Sequence, residues 1–271
     1  MGHSADAPVG VFDSGIGGLS VLRALRAELP GEDFIYVADS GHAPYGERDA
    51  QHVIERSLAI TRWLIETQHI KALVVACNTA TALAIEELRQ TFPLLPFIGV
   101  EPALKPAAQQ SHTHRIGVMA TRGTLGSAKF QSLLASLQGQ GEFVLQACDG
   151  LADAIERGQR EQVAALCAQH LQAMGPWGKA AGQIDTLVLG CTHYPFAQSH
   201  LQTLVGADVA LLESGAPVAR QTRRVLDARQ ALNHQPTGHT RLFATGEPDN
   251  LHQAAQNWLG LTAKVAQPKM V

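Results

Sequence analysis

Leu187-Val188-Leu189-Gly190-Cys191-Thr192-His193-Tyr194-Pro195 is an aliphatic run that stops at a cysteine and passes straight into groups that hydrogen-bond. An upstream segment, Leu73-Val74-Val75-Ala76-Cys77-Asn78-Thr79, repeats the pattern. Short aliphatic runs bounded by turn signals read as strands buried on both faces, the kind found in parallel sheets. Two thiols therefore stand at strand ends in one local context. Such a repeat suits a site that must offer equivalent acid/base groups to two sides of one small molecule.

Outward from these runs the alternation continues. Val9-Gly10-Val11-Phe12 reads as a strand ending at Asp13-Ser14-Gly15-Ile16-Gly17-Gly18, and Leu19, Leu22, Leu25 and Leu29 follow at helical spacing. Pro30-Gly31 closes that helix, Phe34–Ala38 is a second strand, and Asp39–Arg48 is rich in turn residues. Helical spacing predicts helices over 53–65 and 83–88, with a strand at Phe97–Val100. A fresh series starts at Arg115–Ala120, with further strands at Phe143–Ala147 and Leu187–Gly190. After the second cysteine motif come a strand at Val209–Leu212, a helix over 218–232, a strand at Arg241–Ala244 and a helix over 251–259. That tail is too short for a domain of its own and is expected to pack on one already formed. The loop Gly175–Gly182 reads as an exposed connection with few structural demands.

Parallel strands need crossover connections, so the predicted class is α/β: two similar domains, each a mostly parallel sheet flanked by helices. The expected division is 1–100 together with 212–271, and 101–211. Ligands of such sheets bind beyond the carboxyl ends of strands, where Asp13, Cys77, Thr121 and Cys191 fall.

Composition narrows the function classes. The 271 residues are 45% hydrophobic, enough for a sizeable core, and carry a formal charge of -3. No basic run departs from that balance, so nucleic acid is not an expected partner. No apolar stretch approaches the ~20 residues that span a bilayer, and Met1–Val9 lacks the regions of an export signal. The expectation is a cytoplasmic protein with its four cysteines reduced. Cys148 and Cys167 read as small buried hydrophobes. The twelve histidines form no H-E-x-x-H pattern and no paired C-x-x-C occurs, so no metal is expected. Gly15-Ile16-Gly17-Gly18 is not a dinucleotide fingerprint, since Ser20 stands where the third glycine belongs. No Schiff-base lysine with a phosphate cradle is evident, and no cofactor is expected.

Individual residues keep two readings each. Cys77 and Cys191 end strands beside Asn78-Thr79 and Thr192-His193, whose donors can stabilise a thiolate or bind a carboxylate. Asp13 is either a helix cap or a reacting carboxylate, and His193 either an ordering hydrogen bond or a proton-transfer partner. Tyr45-Gly46 after Pro44 can be a turn alone. Glu156 has no local signal beyond a helix face.

At these residues the chain resembles the glutamate racemases of the cofactor-independent aspartate/glutamate racemase superfamily. The resemblance runs over nearly the whole chain. It is carried by 11–20, Ala38-Asp39 through Pro44-Tyr45-Gly46, Ala76-Cys77-Asn78-Thr79-Ala80 and Leu189-Gly190-Cys191-Thr192-His193-Tyr194-Pro195-Phe196. It implies inversion of glutamate at Cα by two thiols on opposite faces, with the active site in the cleft between the two domains, supplying D-glutamate for peptidoglycan synthesis. Cys77 would take the proton from the D enantiomer and Cys191 from the L, Asp13 assisting the first and His193 with Glu156 the second. Asp13, Ser14, Tyr45, Gly46, Asn78, Thr79, Thr121, Thr124, Thr192 and His193 would hold the substrate, and a homodimer is implied. Phe130 stands where the family commonly has tyrosine, and Glu213 where an aspartate is frequent.

Three rival readings follow from the same residues. One is a racemase of the superfamily acting on aspartate. Another is a cysteine hydrolase with Cys191 as nucleophile and His193 as base, for which a two-residue separation predicts poor geometry. The third is a module that binds an amino acid without exchanging its α-proton.

Overall fold

The computed structural model describes residues 4–269; the outermost residues of the expected first domain, 1–3 and 270–271, and with them His3, lie outside the described residues. Among the described residues, ten strands form two sheets. The first contains β1 (Val9–Asp13), β2 (Phe34–Ala38), β3 (Ala72–Val75), β4 (Phe97–Gly99), β9 (Thr240–Ala244) and β10 (Val265–Ala266), in the order β10-β9-β2-β1-β3-β4. The second contains β5 (Arg115–Ala120), β6 (Glu142–Ala147), β7 (Thr186–Gly190) and β8 (Ala210–Leu212), in the order β6-β5-β7-β8. Every strand pair in both sheets is parallel.

Side chains alternate between the faces of these strands, and both faces are covered. Val9, Val11, Tyr36 and Val74 enter one apolar cluster, while Phe12, Ile35, Val37, Leu73 and Val75 enter another. The second sheet repeats this, with Met119, Leu187 and Leu189 on one side and Ile116, Val118 and Val188 on the other. Continuous aliphatic runs are thus required, because each residue of a doubly covered strand faces some part of a core.

The helices run longer than their apolar spacing indicates. The predicted 53–65 segment spans Ala50–Gln68, started by Asp49, whose carboxylate accepts from His52 N–H at 2.8 Å. The 83–88 segment spans Asn78–Thr91 and begins immediately at Cys77. The 218–232 segment instead spans Gly215–Ala228, after which Gln230 takes a left-handed conformation and turns the chain. That turn lets Asn233 N–H reach the buried Glu32 at 2.7 Å.

The tail packs as expected: β9 pairs with β2, β10 with β9, and the helix Gly215–Ala228 lies on the helix Leu19–Glu28. Leu212 still pairs with Val188, so it stays with the second sheet as the last residue of β8. Ser214 Oγ ties the two crossings together by donating to Glu101 O at 2.6 Å. The loop Gly175–Gly182 meets more demands than its composition predicts. Trp177 packs against the second sheet's core, bridges to Ile184 and donates from Nε1 to Leu171 O at 3.2 Å. Among the described residues, no helix is long and apolar enough to cross a membrane.

Candidate active site

Both sheets reverse the order in which the chain adds strands in the same way. In the first, the chain moves outward to β2 on one side of β1 and to β3 on the other. In the second, β6 and β7 flank β5 likewise. A crevice forms at such a switch point, where neighbouring crossovers leave in opposite directions. Asp13 ends β1 and Cys77 follows β3; Thr121 follows β5 and Cys191 follows β7. One pocket is lined from both sheets by Ser14, Tyr45, Gly46, Cys77, Asn78, Thr79, Thr121, Glu156, Cys191, Thr192 and His193. Both thiols are nearly enclosed, Cys77 with 5% and Cys191 with 6% of its surface exposed.

Cys77 is held by its own half of the molecule. Its sulfur accepts from Ala80 N–H at 3.4 Å at the start of the helix Asn78–Thr91, and it donates to Ser14 Oγ at 3.9 Å. Asp13 is fully buried behind the pocket wall, accepting from Gly18 N–H at 2.5 Å and from Thr192 Oγ1 at 3.4 Å. It anchors the turn before the helix Leu19–Glu28 through Gly18 N–H, although that helix has no side-chain cap, and it also contacts Cys77. Burial pushes the Cys77 thiol well above its ordinary value, and the Asp13 charge pushes it further. Burial also raises Asp13, against the opposing pull of the His193 charge and the Cys77 hydrogen bond. Each form that is buried therefore prefers to be neutral.

The Cys191 side differs. His193 Nδ1 lies 3.8 Å from Cys191 Sγ, and its Nε2 lies 2.7 Å from Glu156 Oε2. Burial works to lower the imidazole, but hydrogen bonds to Cys191 and Glu156 outweigh it and hold His193 well above its ordinary value. His193 thus faces one thiol while Asp13 faces the other. Glu156, which carried no signal beyond a helix face, is brought from the end of the helix Leu151–Glu156 into this chain of contacts. The close contact of His193 with Cys191 also corrects the expectation of poor geometry for that pair.

The remaining candidates divide. Thr79 Oγ1 meets Thr121 Oγ1 at 2.9 Å across the two halves, and Thr121 contacts Thr124 Oγ1 at 3.0 Å. Thr124 lies behind Thr121 and is not among the pocket-lining side chains. Asn78 Nδ2 is buried with no partner among the described residues, which leaves a donor for a ligand. Tyr45 OH donates to the buried Asp39 at 2.5 Å, and Arg56 Nε and Nη2 bind the same carboxylate at 3.0 and 2.9 Å. Asp39 was not among the site candidates, yet it fixes the turn that carries Tyr45-Gly46.

Cys148 also lines the pocket, although it is buried as a small hydrophobe should be. Its position just beyond β6, beside β5 in the sheet, is the signal that would have found it. Burial pushes its thiol far up. Cys167 stays in the core, pushed up to about 11 by burial.

The comparisons with known proteins agree with this geometry. Residues 12–222 match the model of the Asp/Glu/Hydantoin racemase family. A glutamate racemase of Ectopseudomonas mendocina is 47% identical over 263 residues, covering 97% of this chain and 98% of the relative. The crystal structure of a glutamate racemase from Francisella tularensis, in complex with D-glutamate, superposes with a TM-score of 0.82 at 26% identity, over 98% of each chain. That of the Escherichia coli glutamate racemase, in complex with L-glutamate and an activator, gives 0.83 at 29% identity, over 97% of this chain and 99% of that one. The chain is an isomerase and belongs, with the glutamate racemases, to the Asp/Glu/Hydantoin racemase family.

Proposed function

We propose that the protein interconverts L- and D-glutamate by moving the α-proton between substrate and two thiols, with no cofactor. The observation that carries this reading is that Cys77 and Cys191, each at a switch point of a different sheet, line a single pocket. Relatives named as glutamate racemases, two of them seen with opposite enantiomers of glutamate, support the substrate. The halves 1–100 with 213–271 and 101–212 act as the two domains that enclose it.

The chemistry asks for a base on one face of Cα and an acid on the other, exchanging roles with direction. Cys191 takes the proton from L-glutamate while Cys77 gives one to the opposite face, and D-glutamate reverses the roles. Asp13 carries the proton that Cys77 must lose before it acts as a base. His193, held by Glu156, supports Cys191 in the same duty. Deprotonated glutamate needs charge stabilisation, for which Asn78 Nδ2, the first-turn amides of the helix Asn78–Thr91 and Thr192 are placed to bind carboxylate. Ser14, Tyr45, Gly46, Thr79 and Thr121 shape the rest of the pocket, with Thr124 supporting Thr121. The product fits a cytoplasmic supply of D-glutamate for peptidoglycan, and a homodimer is the form the resemblance implies.

Circular dichroism of L-glutamate, D-glutamate and L-aspartate incubated with the protein tests this reading. Loss of signal from both glutamate enantiomers is expected; racemisation of aspartate alone, or of neither amino acid, overturns it. The 3.8 Å contact of Cys191 with His193 favours one other reading, a cysteine hydrolase. That reading leaves Cys77 unused, and it predicts an acyl-enzyme on Cys191 by mass spectrometry.

A further inference from the structure

Glu156 is aimed from the other half of the molecule. Its Oε2 accepts from His193 Nε2 at 2.7 Å and from the main-chain N–H of Ile16 at 2.8 Å. Ile16 belongs to the turn after β1, in the first sheet's half, while Glu156 and His193 belong to the second. A Cβ on Gly15 would fall on the Glu156 carboxylate, 2.5 Å from Cδ and 2.6 Å from Oε1. A Cβ on Gly17 would fall on the His193 ring, 2.6 Å from Cε1, and 2.7 Å from Thr192 Oγ1. Neither glycine has a positive φ, so their backbone suits any residue and what they supply is space. The turn is itself pinned: the fully buried Tyr36 donates from its hydroxyl to Gly15 O at 2.6 Å.

We infer that the turn Gly15-Ile16-Gly17 is a positioning element for the proton relay on the Cys191 side. Its amide orients Glu156 toward His193, and its two glycines leave the room that both side chains occupy. The inference rests on the roles proposed above for Cys191, His193 and Glu156. The same turn starts at Asp13, so one short segment supports both thiols: Cys77 through a side chain and Cys191 through a main-chain amide. Assembly of the second relay therefore requires the two halves to be together, whereas Cys77, Asp13 and Ser14 all lie in one half.

A double-mutant cycle on the full chain tests this. Gly15→Ala alone is expected to lower kcat/KM about tenfold, and to cost less than about twofold when Glu156→Gln is already present. Losses that multiply fully in the double variant overturn the inference, since the methyl would then act through something other than Glu156. Should Gly15→Ala fail to fold, the amide proton of Ile16 is read by NMR in the unaltered protein and in Glu156→Gln. An amide bound to a carboxylate lies downfield, so an upfield move at Ile16 is expected, and an unmoved Ile16 signal overturns the inference. This shift is read without turnover. It can fail while α-proton exchange persists, and exchange can fail while the shift holds, which separates this inference from the two-thiol reading.

Discussion

The two sheets share one plan, β2-β1-β3-β4 in the first matching β6-β5-β7-β8 in the second, yet the chemistry at their switch points is not the same. In the first, β1 ends in a carboxylate, Asp13, and Cys77 follows the neighbouring strand β3. In the second, β5 is followed by Thr121, which offers no charge, and Cys191 contacts His193, which in turn contacts Glu156 on a separate helix. A duplicated frame thus delivers two thiols in equivalent places and leaves their surroundings free to diverge. Cys77 faces Asp13 and Cys191 faces His193.

The largest effect falls on the thiols themselves. Cys77→Ser and Cys191→Ser are each expected to lower kcat/KM by at least about 10³-fold, measured by circular dichroism from either enantiomer. The losses must match in the two directions, since enantiomers have equal free energy. Substantial activity in either variant would break the comparison at its root, because one thiol would then suffice.

The next effect sharpens the difference between the two surroundings. Asp13→Asn and Glu156→Gln are each expected to cost about 10²-fold in activity. Their effects on Cys77 should differ. Burial and then the Asp13 charge raise this thiol, so removing the charge lowers its pKa. Alkylation of Cys77 followed against pH by mass spectrometry should therefore begin at lower pH in Asp13→Asn. Glu156→Gln should leave the profile in place; a matching shift in both variants would mean the two surroundings are not separate.

A smaller effect is read as stability against pH. His193 has a folded pKa well above the ordinary 6.5. A raised value means that the native state holds its proton more tightly than the unfolded chain. The associated stability is present in full below about pH 6.5 and is lost as pH rises through the folded value. His193→Gln should flatten that alkaline decline in chemical denaturation, and an unchanged slope would count against an imidazolium at this position. The smallest effect belongs to Cys167, fully buried in the second sheet's core. Cys167→Ala should cost about 1 kcal/mol of stability and leave racemisation unchanged.

Much of this was legible in the sequence, for physical reasons that differ by residue. The strands could be read because a sheet covered on both faces demands unbroken aliphatic runs, as at Leu73–Val75 and Leu187–Leu189. Cys77 and Cys191 could be read because such a run ending in a polar side chain marks a strand's carboxyl end. Glu156 could not be placed from local pattern. Its role depends on Ile16 and His193, which lie 140 and 37 residues away in the chain. Cys148 was taken for core because burial and pocket lining are not exclusive for so small a side chain. The extent of the helix Asn78–Thr91 was missed because its first turn, Asn78 to Thr81, is buried through polar side chains, which apolar periodicity does not register.

The central claim is that two thiols act from opposite faces, and solvent isotope labelling tests it most directly. L-Glutamate is incubated with the protein in D₂O, and both enantiomers are analysed by NMR while conversion is still low. The account predicts that D-glutamate appears carrying deuterium at Cα while the remaining L-glutamate keeps its protium. Protium carried from substrate into product, or equal labelling of both pools from the start, would contradict it, because either result means that a single base serves both faces.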